Sequence, residues 1–166
     1  MDEVFAADDI AAFKQAFRRH AAGVAIVTAL DTDGTRVGFT ATSLASLAAV
    51  PPLATFNMAR TASAWHAIEN TDRVVIHMLG ARDRHLAQIM AAEASQRFVG
   101  DHWHEGPHGL PVLDDVTAWM VGRIVARVPL HNNAVIAVQV ESGALGADDA
   151  PLLYHERAYH APRPLD

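Results

Sequence analysis

Short hydroxyls crowd one stretch of this chain. Residues 38–46 read Gly-Phe-Thr-Ala-Thr-Ser-Leu-Ala-Ser, and residues 47–53, Leu-Ala-Ala-Val-Pro-Pro-Leu, follow directly. The stretch begins as a strand, and Pro51 with Pro52 stops any helix from forming. Thr40, Thr42, Ser43 and Ser46 place donors and acceptors close to the backbone, where larger side chains would hold a ligand away. Such an edge can lie against a flat polar ring. An ordinary Ser/Thr-rich β-connection uses the same residue types, so both readings stay open on these residues alone.

A second group follows at Arg60, Thr61 and Ser63, just before Ala-Trp-His-Ala-Ile-Glu-Asn at residues 64–70. The spacing predicts a helix over 64–70 with Thr61 or Ser63 as its cap, whose free N–H groups could hold an anion beside the forked Arg60 cation. A capped helix with a solvated arginine reads the same way. His102, His104, Glu105 and His108 fall within seven residues, but closely spaced loop histidines have poor geometry for a metal, and no metal site is expected. Ser43 lacks a Gly-x-Ser-x-Gly elbow and any base nearby in sequence, so it is a poor nucleophile. Phe56, Trp65, Phe98 and Trp119 read as core aromatics rather than stacking groups, and Tyr154 and Tyr159 as residues that could border a pocket.

The elements that must carry these groups are mostly strands. Asp8 and Asp9 can cap a helix to about His20, with Ile10, Phe13 and Phe17 on the face that would lie across a sheet. Residues 23–30 and 35–40 flank the turn Asp31-Thr32-Asp33-Gly34 as a hairpin. Residues 53–58 and 73–79 read as buried strands, and Asp83 as the cap of a helix to about Ala92 with Leu86, Ile89 and Met90 inward. Residues 101–111 hold too much Gly and Pro for regular structure and are expected to form a long loop. Residues 117–129 alternate as a strand, Asn132-Asn133 turns, and 134–140 pairs back; a further turn at 148–151 leads into a last strand. One domain spans 1–166, mainly β with helices packed at the sides of a small antiparallel barrel.

Composition narrows the function. The chain has 166 residues, 51% of them hydrophobic, no run long enough to span a bilayer, and an acidic start without a signal-like pattern. No cysteine is present, which removes disulfides, thiolate metal sites and thiol nucleophiles, and a cytoplasmic location is the expectation. A net charge of −6 without a basic block argues against nucleic acid as a partner.

The order of segments resembles the flavin reductase family, the FMN-binding split-barrel reductases of two-component monooxygenases. The likeness begins at residues 17–28 and is sharpest over 38–53, with Gly, an apolar residue, Thr-Ala, a small polar residue, Ser, and then Pro-Pro-Leu. It continues at Arg97-Phe98-Val99-Gly100, Trp103, Gly106, Gly109-Leu110-Pro111 and Pro151-Leu152-Leu153-Tyr154.

The resemblance implies an FMN-binding split β-barrel of antiparallel Greek-key type that takes FMN or FAD, and usually a homodimer with flavin near the subunit interface. On that analogy Thr40, Ala41, Thr42 and Ser43 contact the isoalloxazine ring, Ser46 the ribityl chain, and Asn57, Arg60, Thr61 and Ser63 the ribityl and phosphate end. It implies hydride transfer from NADH or NADPH, with no catalytic triad, and a separate oxygenase receiving the reduced flavin. The loop 101–111 and the turn His131-Asn132-Asn133 are the expected cover on the nicotinamide side. Many members carry Gly-Asp-His where this chain has His131-Asn132-Asn133, and Asn133 cannot become cationic. Two other classes therefore stand beside the reductase: a flavoprotein that uses bound flavin on another substrate, and a non-catalytic flavin- or haem-binding module.

Overall fold

The computed structural model describes residues 9–166. In chain order its elements are α1 (Asp9–Arg19), β1 (Ala22–Gly23), β2 (Ala25–Leu30), β3 (Arg36–Ala41), β4 (Ala45–Ala48), β5 (Leu53–Ala59), α2 (Trp65–Asn70), β6 (Arg73–Met78), α3 (Arg84–Ala91), β7 (Trp103–Glu105), β8 (Pro111–Leu113), β9 (Ala118–Leu130), β10 (Asn133–Leu145), β11 (Leu153–His155) and β12 (Ala158–His160). Seven strands form one antiparallel sheet in the order β3-β2-β6-β9-β10-β5-β4.

The sheet's shape follows from one short connection. β3 and β4 are its two edges, yet β3 ends at Ala41 and β4 begins at Ala45. Four residue steps reach at most about 14 Å, whereas the edges of a flat seven-stranded sheet stand roughly 29 Å apart. The sheet must therefore curl until its edges nearly meet, and they are not paired to each other, which leaves a split barrel. Phe56, Ile68, Val74, Ile76, Ile136 and Val138 fill its interior. A second apolar cluster, including Ile26, Leu86, Met90, Leu113 and Leu152, packs α3 and the small β1-β11-β12 sheet against the outside.

The 31–34 turn is as expected: Gly34 N–H donates to the Asp31 carbonyl at 2.9 Å with φ at 85°, a conformation suited to glycine. Several other expectations change. α1 has the anticipated periodicity, but Ile10, Phe13 and Phe17 are 65%, 59% and 59% exposed, so the helix does not lie across the sheet; the Asp8 half of its proposed cap lies outside the described residues. α2 starts only at Trp65, and Ala64 stands at its cap position without a side-chain bond, so neither Thr61 nor Ser63 caps it. Asp83 precedes α3 as expected, but its Oδ2 accepts from Gly80 N–H at 2.8 Å and so serves the turn before the helix. Residues 101–111 are not one irregular loop. β7 pairs with β8 across a single helical turn at Pro107–Gly109, because Gly106, His108 (φ 58°) and Gly109 supply the bends. Among the described residues no helix is long and apolar enough to cross a membrane.

Candidate functional site

Between the β3 edge and β5 lies a groove of about 440 Å³. β3 and its exit contribute Thr40, Ala41, Thr42 and Ser43, β5 contributes Asn57 to Ala59, and Ala62 and Asn133 complete the wall. The floor lies close to the backbone because alanines alternate with short polar residues. Such a surface suits a flat heteroaromatic ring that needs hydrogen bonds at its rim.

The hydroxyls differ in what they are free to do. Thr40 Oγ1 donates to the Ala87 carbonyl of α3 at 2.7 Å, which fixes the strand rather than serving a ligand. Ser43 Oγ accepts from Asn57 N–H at 2.8 Å and lies 3.3 Å from the Asn57 carbonyl, so it ties the β3 exit to β5 across the split. Thr42 is exposed at the groove. Ser46, on the edge strand β4 opposite Ala54, does not line the groove.

The segment beyond β5 is open. Arg60 Nη1 donates to the His131 carbonyl at 3.2 Å, and Arg60 N–H to the Asn132 carbonyl at 2.7 Å, which joins the two turns at this end of the groove. Thr61 is exposed beside them. Ser63 lies in a separate recess of about 260 Å³ with Arg36, Gly38 and Arg97. Arg97 donates to the Gly38 carbonyl at 2.7 Å, to Ser63 Oγ at 3.4 Å, and twice to the Ala92 carbonyl, at 3.0 and 2.8 Å. Burial pulls its guanidinium below its ordinary value. His131 is held at φ 53°, a left-handed conformation that favours glycine. Asn133 lines the groove, whereas the His131 side chain does not.

Residues 101–111 take no part in the groove. Trp103 Nε1 donates to the Phe98 carbonyl at 2.9 Å, the two rings meet edge to face at 5.7 Å, and the Arg36 guanidinium stacks 4.3 Å from Trp103. His104 pairs with Asp114 at 2.6 Å, and His102 Nε2 lies 2.7 Å from the Arg97 carbonyl. The segment is clasped to the barrel's flank and lines none of the groove; of the two stretches expected as its cover, only the 131–133 turn reaches it, through Asn133. Phe56 is in the core, with Trp65 packed against the same cluster; Phe98 and Trp119 pack on the outer one.

Sequence reasoning passed over two features. His77 is fully buried: its Nε2 accepts from Leu113 N–H at 3.0 Å, so Nδ1 carries the proton and donates to the Ile26 carbonyl at 3.0 Å. Desolvation pushes its pKa down from 6.5 to about 4, and the ring joins β2, β6 and β8 as a neutral strut. A histidine inside an apolar strand was the signal. The other is a recess of about 710 Å³ that meets the groove at Thr42, Ser43 and Asn57 and runs out between α1 and the tip of β11–β12.

With this geometry in view, residues 17–163 match the family model described as flavin reductase like domain, and the chain belongs to that family. It is 40% identical over 158 residues to the NADH:FMN oxidoreductase of Rhodococcus erythropolis, covering 92% of this chain and 82% of that protein. Over 98% of this chain and 52% of the relative it is 30% identical to the reductase component of the flavin-dependent trigonelline monooxygenase of Acinetobacter baylyi. The solved flavin reductase domain protein from Arthrobacter sp. FB24 superposes with a TM-score of 0.91 at 52% identity, covering 95% of this chain and 98% of that one.

Proposed function

We propose that the chain is an NAD(P)H:flavin oxidoreductase that reduces FMN or FAD with NADH or NADPH and passes the reduced flavin to a separate monooxygenase component. The observation that carries this is the backbone-lined groove at Thr40 to Ser43, Asn57 and Asn133, in a member of the flavin reductase family. The residues fit the group. Thr40 and Ala41 would meet the ring through the strand, Thr42 through its exposed hydroxyl, and Ser43 with Asn57 would border the ribityl chain. Arg60 and Thr61, the exposed polar pair past β5, would take the phosphate. Ser63 would act through Arg97, and Ser46 is the least supported of the set because it does not line the groove.

What the flavin supplies when bound is a ring that takes up a hydride from nicotinamide. The chain's part is to hold that ring flat on β3, keep its outer face open, and place Asn133 where a nicotinamide would arrive. No acid–base residue is needed. His131 and Asn133 would orient rather than protonate.

The domain is proposed to be one unit over 1–166, working as a homodimer in the cytoplasm, where its nicotinamide substrate is available. Exposed Leu47, Val50, Val125, Val128 and Leu130 support a face that a second copy would cover. A sedimentation mass of one chain at micromolar protein would count against it.

The deciding experiment is anaerobic stopped-flow on protein with FMN, following the flavin's visible absorbance after NADH or NADPH is added. Rapid bleaching is expected. Asn133 in place of the family's histidine favours one second reading, a flavoprotein acting on another substrate; bound FMN that does not bleach would move the assignment there.

A further inference from the structure

The two turns at the open end of the groove are joined through one residue. β9 and β10 meet at a two-residue turn, in which Leu130 pairs with Asn133 and His131 and Asn132 lie between them. On its other side Asn133 pairs with Ala59, the last residue of β5, and Arg60 comes next in the chain. Both carbonyls of the turn accept from that residue: Asn132 from the Arg60 N–H at 2.7 Å, and His131 from its Nη1 at 3.2 Å.

The turn needs such an anchor. His131 stands at φ 53°, where any side chain is strained, and a strained residue persists only where its surroundings hold it. Arg60 is braced for the task. Its guanidinium carbon lies 5.8 Å from the centroid of the Trp65 ring, and Trp65 packs against the core that includes Phe56 and Ile68. A line of contacts thus runs from the core through Trp65 and Arg60 to the turn, and ends at Asn133 on the groove wall. Nη1 serves the turn, which leaves the Nε and Nη2 donors of the same planar group for an anion.

We infer that Arg60 is a positioning residue for the nicotinamide step: by holding both carbonyls of the turn it fixes Asn133 at the groove. A flavin phosphate that orders the guanidinium tightens that hold, so flavin phosphate and nicotinamide bind with positive coupling. A phosphate ligand alone would act on the flavin and leave the nicotinamide untouched. The inference rests on the reading of the groove as a flavin and nicotinamide site.

The test uses the full chain saturated with riboflavin, which brings no phosphate for Arg60 to hold, and reads kcat and KM for NADH or NADPH, whichever is oxidised faster. Arg60→Ala keeps the backbone bond to Asn132 and removes the one to His131. It is expected to raise KM about three- to tenfold with kcat nearly unchanged. Adding His131→Gly, which adopts the left-handed φ without an anchor, is expected to recover most of that loss. An unchanged KM, or a loss that His131→Gly does not recover, overturns the inference. A second readout needs no turnover. His131 and Asn132 do not line the groove, so their amide NMR signals are expected to shift further with saturating FMN than with riboflavin, and to respond equally to the two in Arg60→Ala. Equal responses in wild type overturn the coupling. Wild-type signals that respond to the phosphate in a protein that never oxidises NAD(P)H would sink the reductase reading while leaving the link from Arg60 to the turn standing.

Discussion

At Gly38, where β3 enters the floor, an added Cβ would stand 3.0 Å from Met90 Sδ, 3.0 Å from Phe98 Cζ and 3.3 Å from Thr28 Cγ2, and the carbonyl is taken by Arg97. Four residues on, Thr42 is exposed. The same contrast divides the site. Its floor is bolted to α3, to the 92–98 segment and, through β2, to the His77 strut. Its far end, at Arg60, Thr61 and the 131–133 turn, is made of exposed groups joined to one another. A ring needs a fixed surface, whereas a phosphate and an incoming nicotinamide need groups that can close on them. Changes at the bolted end should therefore appear as stability, and changes at the open end as affinity.

The largest effect is expected at His77. His77→Ala removes a filled volume and leaves the Ile26 carbonyl and Leu113 N–H unpartnered in the core. Urea unfolding should show a loss of about 3–5 kcal/mol. A variant as stable as wild type would break the division, because the floor would then not depend on the strut.

The same residue sets a pH dependence of slightly smaller size. Its pKa lies near 4 in the folded chain, against 6.5 ordinarily, so between those values the unfolded chain binds the proton and the folded chain does not. Stability is whole above about pH 6.5 and falls as pH drops towards 4, by about 3 kcal/mol in all. Asp83, its carboxyl raised by burial, works in the opposite sense, so wild type must be read against a variant lacking the imidazole. The stability gap between wild type and His77→Gln should narrow steadily over that interval; a constant gap would mean that the ring is solvated.

At the open end, Arg60→Ala/Thr61→Ala should leave the urea midpoint almost unchanged and weaken FMN by about ten- to a hundredfold, through the loss of charge-assisted contacts to phosphate. Riboflavin, which lacks the phosphate, should bind both forms alike. Equal weakening of the two ligands would place the phosphate elsewhere.

How much of this was legible in the sequence differs between the same two regions. The strand order of polar and apolar residues, the 31–34 turn and the short hydroxyls of the floor are local patterns, and the sequence carries them. The partners of those hydroxyls are distant: Ala87 meets Thr40 across 47 positions, and Asn57 meets Ser43 across 14. Nothing in residue type announces such bonds. The Thr61 and Ser63 caps failed for a related reason, since Arg97, 34 positions from Ser63, claims that hydroxyl while α2 starts one residue later than its propensities indicate. The 101–111 segment was misjudged because Gly and Pro shaped a tight β7–β8 hairpin instead of excluding one.

Thr40 offers the finest test of the contrast, because it belongs to both lists: a residue of the floor and a hydroxyl once matched to the ring. Its Oγ1 proton goes to the Ala87 carbonyl at 2.7 Å, and the residue is only partly buried. Thr40→Val keeps the shape and removes that bond, leaving the Ala87 carbonyl without its hydroxyl donor. The expected loss is about 1 kcal/mol in urea unfolding, with FMN affinity changed by less than about threefold, since the strand would still present the same backbone. The reverse pattern, full stability with FMN binding largely lost, would show that the hydroxyl turns from α3 to the ligand when the groove is filled. The bolted floor would then have to be counted among the parts that close on the flavin.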